Sequence, residues 1–116
     1  MSTYAYWRLW VGVTLEGVKG PLPDNAAKII DGIMDDFKPQ EFDGMEVGAI
    51  HMHGQEVGLG VVVQEMSWGT EIDKKNRFDS KSLRKADKLV PRLRTLFRSW
   101  GIRGKVCVYH HIDLGG

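Results

Sequence analysis

His51 and His53 flank Met52, so a strand here would carry both imidazoles on one side. That spacing suits a divalent metal. His110 and His111 are adjacent, so a strand turns their rings to opposite faces and they cannot chelate together. Cys107 is the single cysteine. A strand sets it about 10 Å from His110 and about 13 Å from His111, too far for a nucleophile and its base. Asp35 and Asp36 are consecutive, and on a helix they point about 100° apart rather than forming a carboxylate pair. The chain shows no Ser-His-Asp pattern, phosphate-cradling glycine loop or zinc-binding cysteine cluster. These residues predict a protein that is not an enzyme and has no cofactor. A metal-dependent enzyme using His51 and His53 stands as an alternative.

The three residues His51-Met52-His53 resemble the His-hydrophobic-His signature of rolling-circle and transposon single-strand nucleases, which are built on a ferredoxin-like core. That resemblance implies a metal-dependent nuclease with a nucleophilic tyrosine, usually on a later helix. The stretch 79–100 contains no tyrosine, and Tyr4, Tyr6 and Tyr109 all read as strand residues.

Charge is the second signal. The net charge is +1, but residues 74–105 hold 12 of the 16 Lys and Arg residues and only two of the 15 acids. The basic set is Lys74, Lys75, Arg77, Lys81, Arg84, Lys85, Lys88, Arg92, Arg94 and Arg98, running from a loop onto a helix. Such segregation predicts an anionic partner or an acidic face on another protein.

Aromatic residues supply the third signal. Residues 4–15 alternate, with Ala5, Trp7, Leu9, Val11, Val13 and Leu15 on one face. Tyr4, Tyr6, Arg8 and Trp10 share the other. In 105–112, Lys105, Cys107, Tyr109 and His111 alternate with Val106, Val108, His110 and Ile112. If the two strands lie side by side, Tyr4, Tyr6, Arg8, Trp10, Tyr109 and His111 form one interaction face. Its layout resembles the stacking platform of RNA recognition motifs. Gly58-Leu59-Gly60-Val61 stands where that family's glycine-aromatic signature is expected. The same aromatics also predict a homodimer joined through this face.

The elements that position these groups follow from periodicity. Leu83, Ala86, Val90, Leu93, Phe97 and Trp100 recur at spacings of 3, 4, 3, 4 and 3, which is one face of a helix over 79–100. The stripe keeps its phase across Pro91, predicting one kinked helix rather than two. Asp24 caps a first helix over 25–37, with Ala26, Ile29, Ile30, Ile33 and Phe37 inward. Residues 45–53 and 56–66 read as two strands of a hairpin, and 68–78 as the longest loop. The order β-α-β-β-α-β predicts an α+β, ferredoxin-like split βαβ sandwich. Its four-stranded antiparallel sheet would run 4-1-3-2 with two helices on one face.

At 116 residues the chain is expected to be a single domain, 1–116, in a cytoplasmic setting and without a membrane partner. The function expected is a small binding protein that docks on a protein or nucleoprotein partner, in the manner of compact regulators or inhibitors from phage or mobile elements. A nucleic-acid-binding module using the basic helix 79–100 is the other alternative.

Overall fold

Leu9, Val11 and Val13 occupy alternate positions and all three join the main core cluster, so they mark the face of the first strand turned to the helices. The structure, a computed structural model, describes residues 4–18, 20–36, 38–52, 55–68 and 80–115. In chain order the elements are β1 (Tyr4–Thr14), α1 (Asp24–Asp36), β2 (Gln40–Phe42), β3 (Met45–Met52), β4 (Gln55–Trp68), α2 (Ser80–Ser99) and β5 (Cys107–Gly115).

The four-stranded ferredoxin-like sandwich expected from the sequence is corrected. The sheet is antiparallel with five strands in the order β2-β3-β4-β1-β5. Only α2 lies across it, over β1, β4 and β5, while α1 meets the sheet chiefly along β3. The additional strand, β2, is three residues long and too short to show a period. Its signal was the dipeptide Asp43-Gly44. Both residues have positive φ, 56° and 78°, and Phe42 pairs with Met45 across them. That is the two-residue turn that Asp-Gly favours.

The main core fills the helix side. Leu9, Val11 and Val13 of β1, Val47 of β3 and Leu59 of β4 meet Ala26 and Ile33 of α1 and Ala86, Leu93 and Phe97 of α2. The α2 stripe holds from Ala86 through Leu89, Leu93 and Phe97, all buried, and the helix runs unbroken through Pro91. Val90 is half-buried, and Leu83 is 45% exposed. Arg92 is exposed but engaged: its Nη2 donates to the Asp43 carbonyl at 2.6 Å, tying the β2–β3 turn to α2. Phe42 meets Trp100 edge-on at 4.9 Å and closes the same corner.

The other side of the sheet is not flat. Gly48, Gly60 and Gly12 pair in one row across β3, β4 and β1. A Cβ on Gly60 would lie 2.0 Å from the Val11 carbonyl oxygen, and one on Gly12 would lie 2.1 Å from that of Leu59. The β1 and β4 backbones therefore approach closer than any side chain allows. β4 also carries a register shift on each side of this row, one against Leu9/Trp10 and one against Ile50/His51. Bulges bend strands.

Arg8 shows how sharply the sheet folds. It pairs with Glu65, whereas His51 pairs with Glu56, nine residues back along β4. Nine residues of flat strand span about 30 Å, far beyond an arginine's reach. Arg8 Nη1 nonetheless donates to the His51 carbonyl. The glycine row is thus a crease, and the β3–β4 hairpin curls over the helix-free face.

Candidate interaction surfaces

The crease changes what the aromatic face can do. Trp10 lies on that face, outside the main core, yet it is 0% exposed. Its indole stacks on Tyr109 of β5, with ring centres 4.4 Å apart and planes 23° from parallel. Its ring tip occupies the space over Gly58, where a Cβ would stand 2.5 Å from it. Ile50, the cross-strand partner of Gly58, is 1% exposed. Trp10 and Ile50 therefore belong to a second, smaller buried group opposite the helices. Trp10, expected on an open interaction face, is buried in the folded chain between Tyr109 of β5 and Gly58 of β4.

Polar groups line the end of this cluster. Trp10 Nε1 donates to His111 Nδ1 at 3.2 Å. Nδ1 must then be unprotonated, which fixes a neutral ring carrying its proton on Nε2. Burial, then Arg8 and then His110, hold the His111 pKa below the usual histidine value. Arg8 Nε meets Glu65 Oε1 at 3.1 Å in a cross-strand ion pair. The Tyr109 phenol is pushed above its usual pKa, mainly by burial and then by the neighbouring Cys107. Tyr109 and His111 are both half-buried. The side chains of Tyr4 and Tyr6 lie outside the described residues.

This geometry gives a pH dependence. A histidine with a lowered folded pKa binds its proton more readily in the unfolded chain. Its contribution is fully present above the unfolded value of about 6.5 and is lost as pH falls through the folded value. Among the described residues the groups beside it are Arg8, Trp10 and Tyr109, with His110 acting by charge from the opposite face, and none of them supplies a negative charge near neutrality. The urea midpoint should fall between pH 7.5 and pH 5, and His111→Gln, which keeps an acceptor, should flatten the fall. An unchanged pH profile in His111→Gln would place the titrating group elsewhere.

The basic residues form a second surface. Lys81, Arg84, Lys85, Lys88, Arg92, Arg94 and Arg98 are all exposed along α2. Its 20 residues span about 30 Å at the usual helical rise. Among the described residues none of the seven makes an ion pair. Arg84 touches only the Ser80 hydroxyl, at 3.5 Å, and Arg92 holds the Asp43 carbonyl. Lys74, Lys75 and Arg77 lie outside the described residues. Arg103 and Lys105, in the link from α2 to β5, extend the ridge; their signal was present in the charge count of 74–105.

Of the histidine pair only His51 lies within the described residues, and His53 lies outside them. His51 is half-buried at the bulge and its carbonyl serves Arg8. Among the described residues no group of three or more His, Cys, Asp or Glu could hold a metal ion. Among the same residues no helix is long and apolar enough to cross a membrane.

No family model, curated protein or solved structure matches the chain.

Proposed function

We propose that the chain is a small non-enzymatic binding protein that docks on an acidic macromolecular partner through the exposed flank of α2. One observation carries this reading: seven basic side chains spread over the whole exposed side of α2, from Arg92 on one edge to Arg94 and Arg98 on the other, and among the described residues none is neutralised by an acid. Solvated lysines alone would solubilise a helix, but acids normally intersperse them, and α2 holds only Asp87. The net charge of +1 gives little long-range steering, so the attraction is local and sensitive to salt. The buried Trp10 argues against base stacking on the sheet, as in RNA recognition motifs, because that ring has no free face. For a homodimer through the same face, the described residues offer Val62, Tyr109 and His111. A cytoplasmic setting fits the free thiol of Cys107. The metal-dependent alternative draws no support from the described residues.

The test is a triple charge reversal, Lys81→Glu, Arg84→Glu and Lys88→Glu. All three side chains are exposed, so the circular-dichroism spectrum should be unchanged. Binding to the partner recovered from the host, or to an acidic polymer, should weaken by at least about 100-fold, since each lost charge-assisted contact is worth on the order of 1 kcal/mol or more. Wild-type binding should also weaken steadily with added salt. A folded triple variant that binds normally places the interface off this helix.

A further inference from the structure

The C-terminal end of α2 holds a hollow of about 310 Å³ rimmed by Arg94, Arg98, Arg103 and Lys105. Arg94 and Arg98 stand one turn apart on the helix, so they face the same way. Arg103 and Lys105 come from the link to β5 and close the opposite rim. Phe97 and Val106, both buried, form an apolar floor. Among the described residues no acid lines the hollow.

A basic residue near a helix C-terminus often spends its donors on the last carbonyls. Here the chain itself already satisfies those of Leu96, Phe97 and Arg98. Gly101, at φ 77°, lets the chain turn back. Its N–H then donates to the Arg98 carbonyl at 3.0 Å, and the Ile102 N–H donates to that of Phe97 at 2.9 Å. The Leu96 carbonyl accepts from Trp100 N–H at 3.2 Å and from the Ser99 hydroxyl. The arginine heads are therefore not consumed by capping, and among the described residues no ion pair holds them.

We infer that this hollow takes a phosphate group of a nucleic-acid backbone and that the partner of the α2 ridge is a nucleic acid. Four cations around one hollow exceed what any single acidic group neutralises, so the hollow suits a polyanion that brings successive phosphates past it. Three of them are guanidiniums, whose planar forks match phosphate oxygens. The exposed ridge then continues from the hollow along α2, where successive phosphates can follow. The inference rests on the ridge being the docking surface.

The test uses the whole chain with fluorescently labelled single-stranded and duplex oligonucleotides, and compares Arg98→Gln/Arg103→Gln with the ridge triple variant. Both sites are exposed, so the double variant should fold. It should lose tenfold or more in affinity, and the slope of log affinity against log salt should shrink by about 0.9 per lost phosphate contact on duplex, or about 0.7 on single strands. Inorganic phosphate should shift the amide resonances of residues 101–105 in the wild type and not in the double variant. If oligonucleotides bind, the triple variant weakens them and the double variant leaves affinity and slope unchanged, the hollow is not a phosphate site although the ridge reading stands. If no oligonucleotide binds while the triple variant loses a protein partner, the nucleic-acid assignment is overturned and the ridge reading survives. Amide shifts with phosphate but no oligonucleotide binding would assign the hollow to a small phosphorylated ligand and overturn the backbone assignment. Full binding by both variants overturns hollow and ridge together.

Discussion

Gly60→Ala should remove most of the stability of this protein. The added methyl would sit 2.0 Å from the Val11 carbonyl oxygen and 2.8 Å from Gly12 Cα. Both are backbone atoms of a central strand and cannot swing aside. β1 and β4 would have to separate at the crease, breaking ladder bonds on either side and opening the space behind Trp10. Costs above about 4 kcal/mol are exceptional for a single substitution and arise from this kind of backbone conflict. Domains of this size have only about 5–15 kcal/mol to lose. The variant should therefore unfold at less than half the wild-type urea midpoint or fail to accumulate in soluble form. Gly32→Ala is the control. It lies inside α1, its Cβ would meet nothing closer than 3.7 Å, and alanine is the better helix former by about 1 kcal/mol. It should raise the midpoint slightly. A Gly60→Ala protein as stable as wild type would show that the two strands do not approach as described.

Trp10→Ala should be the next most damaging change, at about 3–5 kcal/mol, the range for truncating a buried large aromatic. The indole is 0% exposed, and the substitution also removes the stack on Tyr109 and the donor to His111. Trp10→Phe keeps a ring over Gly58 and loses the hydrogen bond, so it should cost clearly less than alanine. The measurement is chemical unfolding of the two variants beside sedimentation at micromolar concentration. Loss of a dimer with under about 1 kcal/mol lost from the folded monomer would instead mean that the ring lies on the outer surface between two copies.

These two residues also mark where the sequence stopped being legible. The alternation of residues 4–15 sets Trp10 on the face away from Leu9 and Val11, and the structure has it there. Its burial depends on where Gly12, Gly48 and Gly60 fall relative to one another. Each glycine is visible in its own strand, but their common row is set by pairing register, which two bulges in β4 alter. No period within one segment carries that information. α2 was readable because its stripe and its charges are both local properties. Leu93 and Phe97 are buried and Lys88 and Arg94 are exposed, in phase with the helix. Arg92 shared the phase of its basic neighbours, and its bond to Asp43 required knowing that the β2–β3 turn docks beside it. That turn was missed because β2 is too short for periodicity, although Asp43-Gly44 announced it by turn chemistry alone. In the basic ridge, sign and location were plain from charge counting. The convergence of Arg103 and Lys105 on Arg94 and Arg98 needed the backward turn at Gly101.

The position of β1 between β4 and β5 has a consequence for how the chain is made. β1 leaves the ribosome first among the described strands, yet neither of its sheet neighbours exists at that moment. One arrives only with residues 55–68 and the other only with residues 107–115. Until then Leu9, Trp10, Val11 and Val13 travel as an unpaired apolar strand, the type of segment most prone to stray association. The β3–β4 hairpin pairs strands close in sequence and can serve as a template for β1 before the last strand is synthesised. Its second edge then stays open until β5 seals it. Slowing translation across residues 69–106 should lengthen that interval, and a chaperone that holds short apolar strands would find its target in β1 rather than in β5.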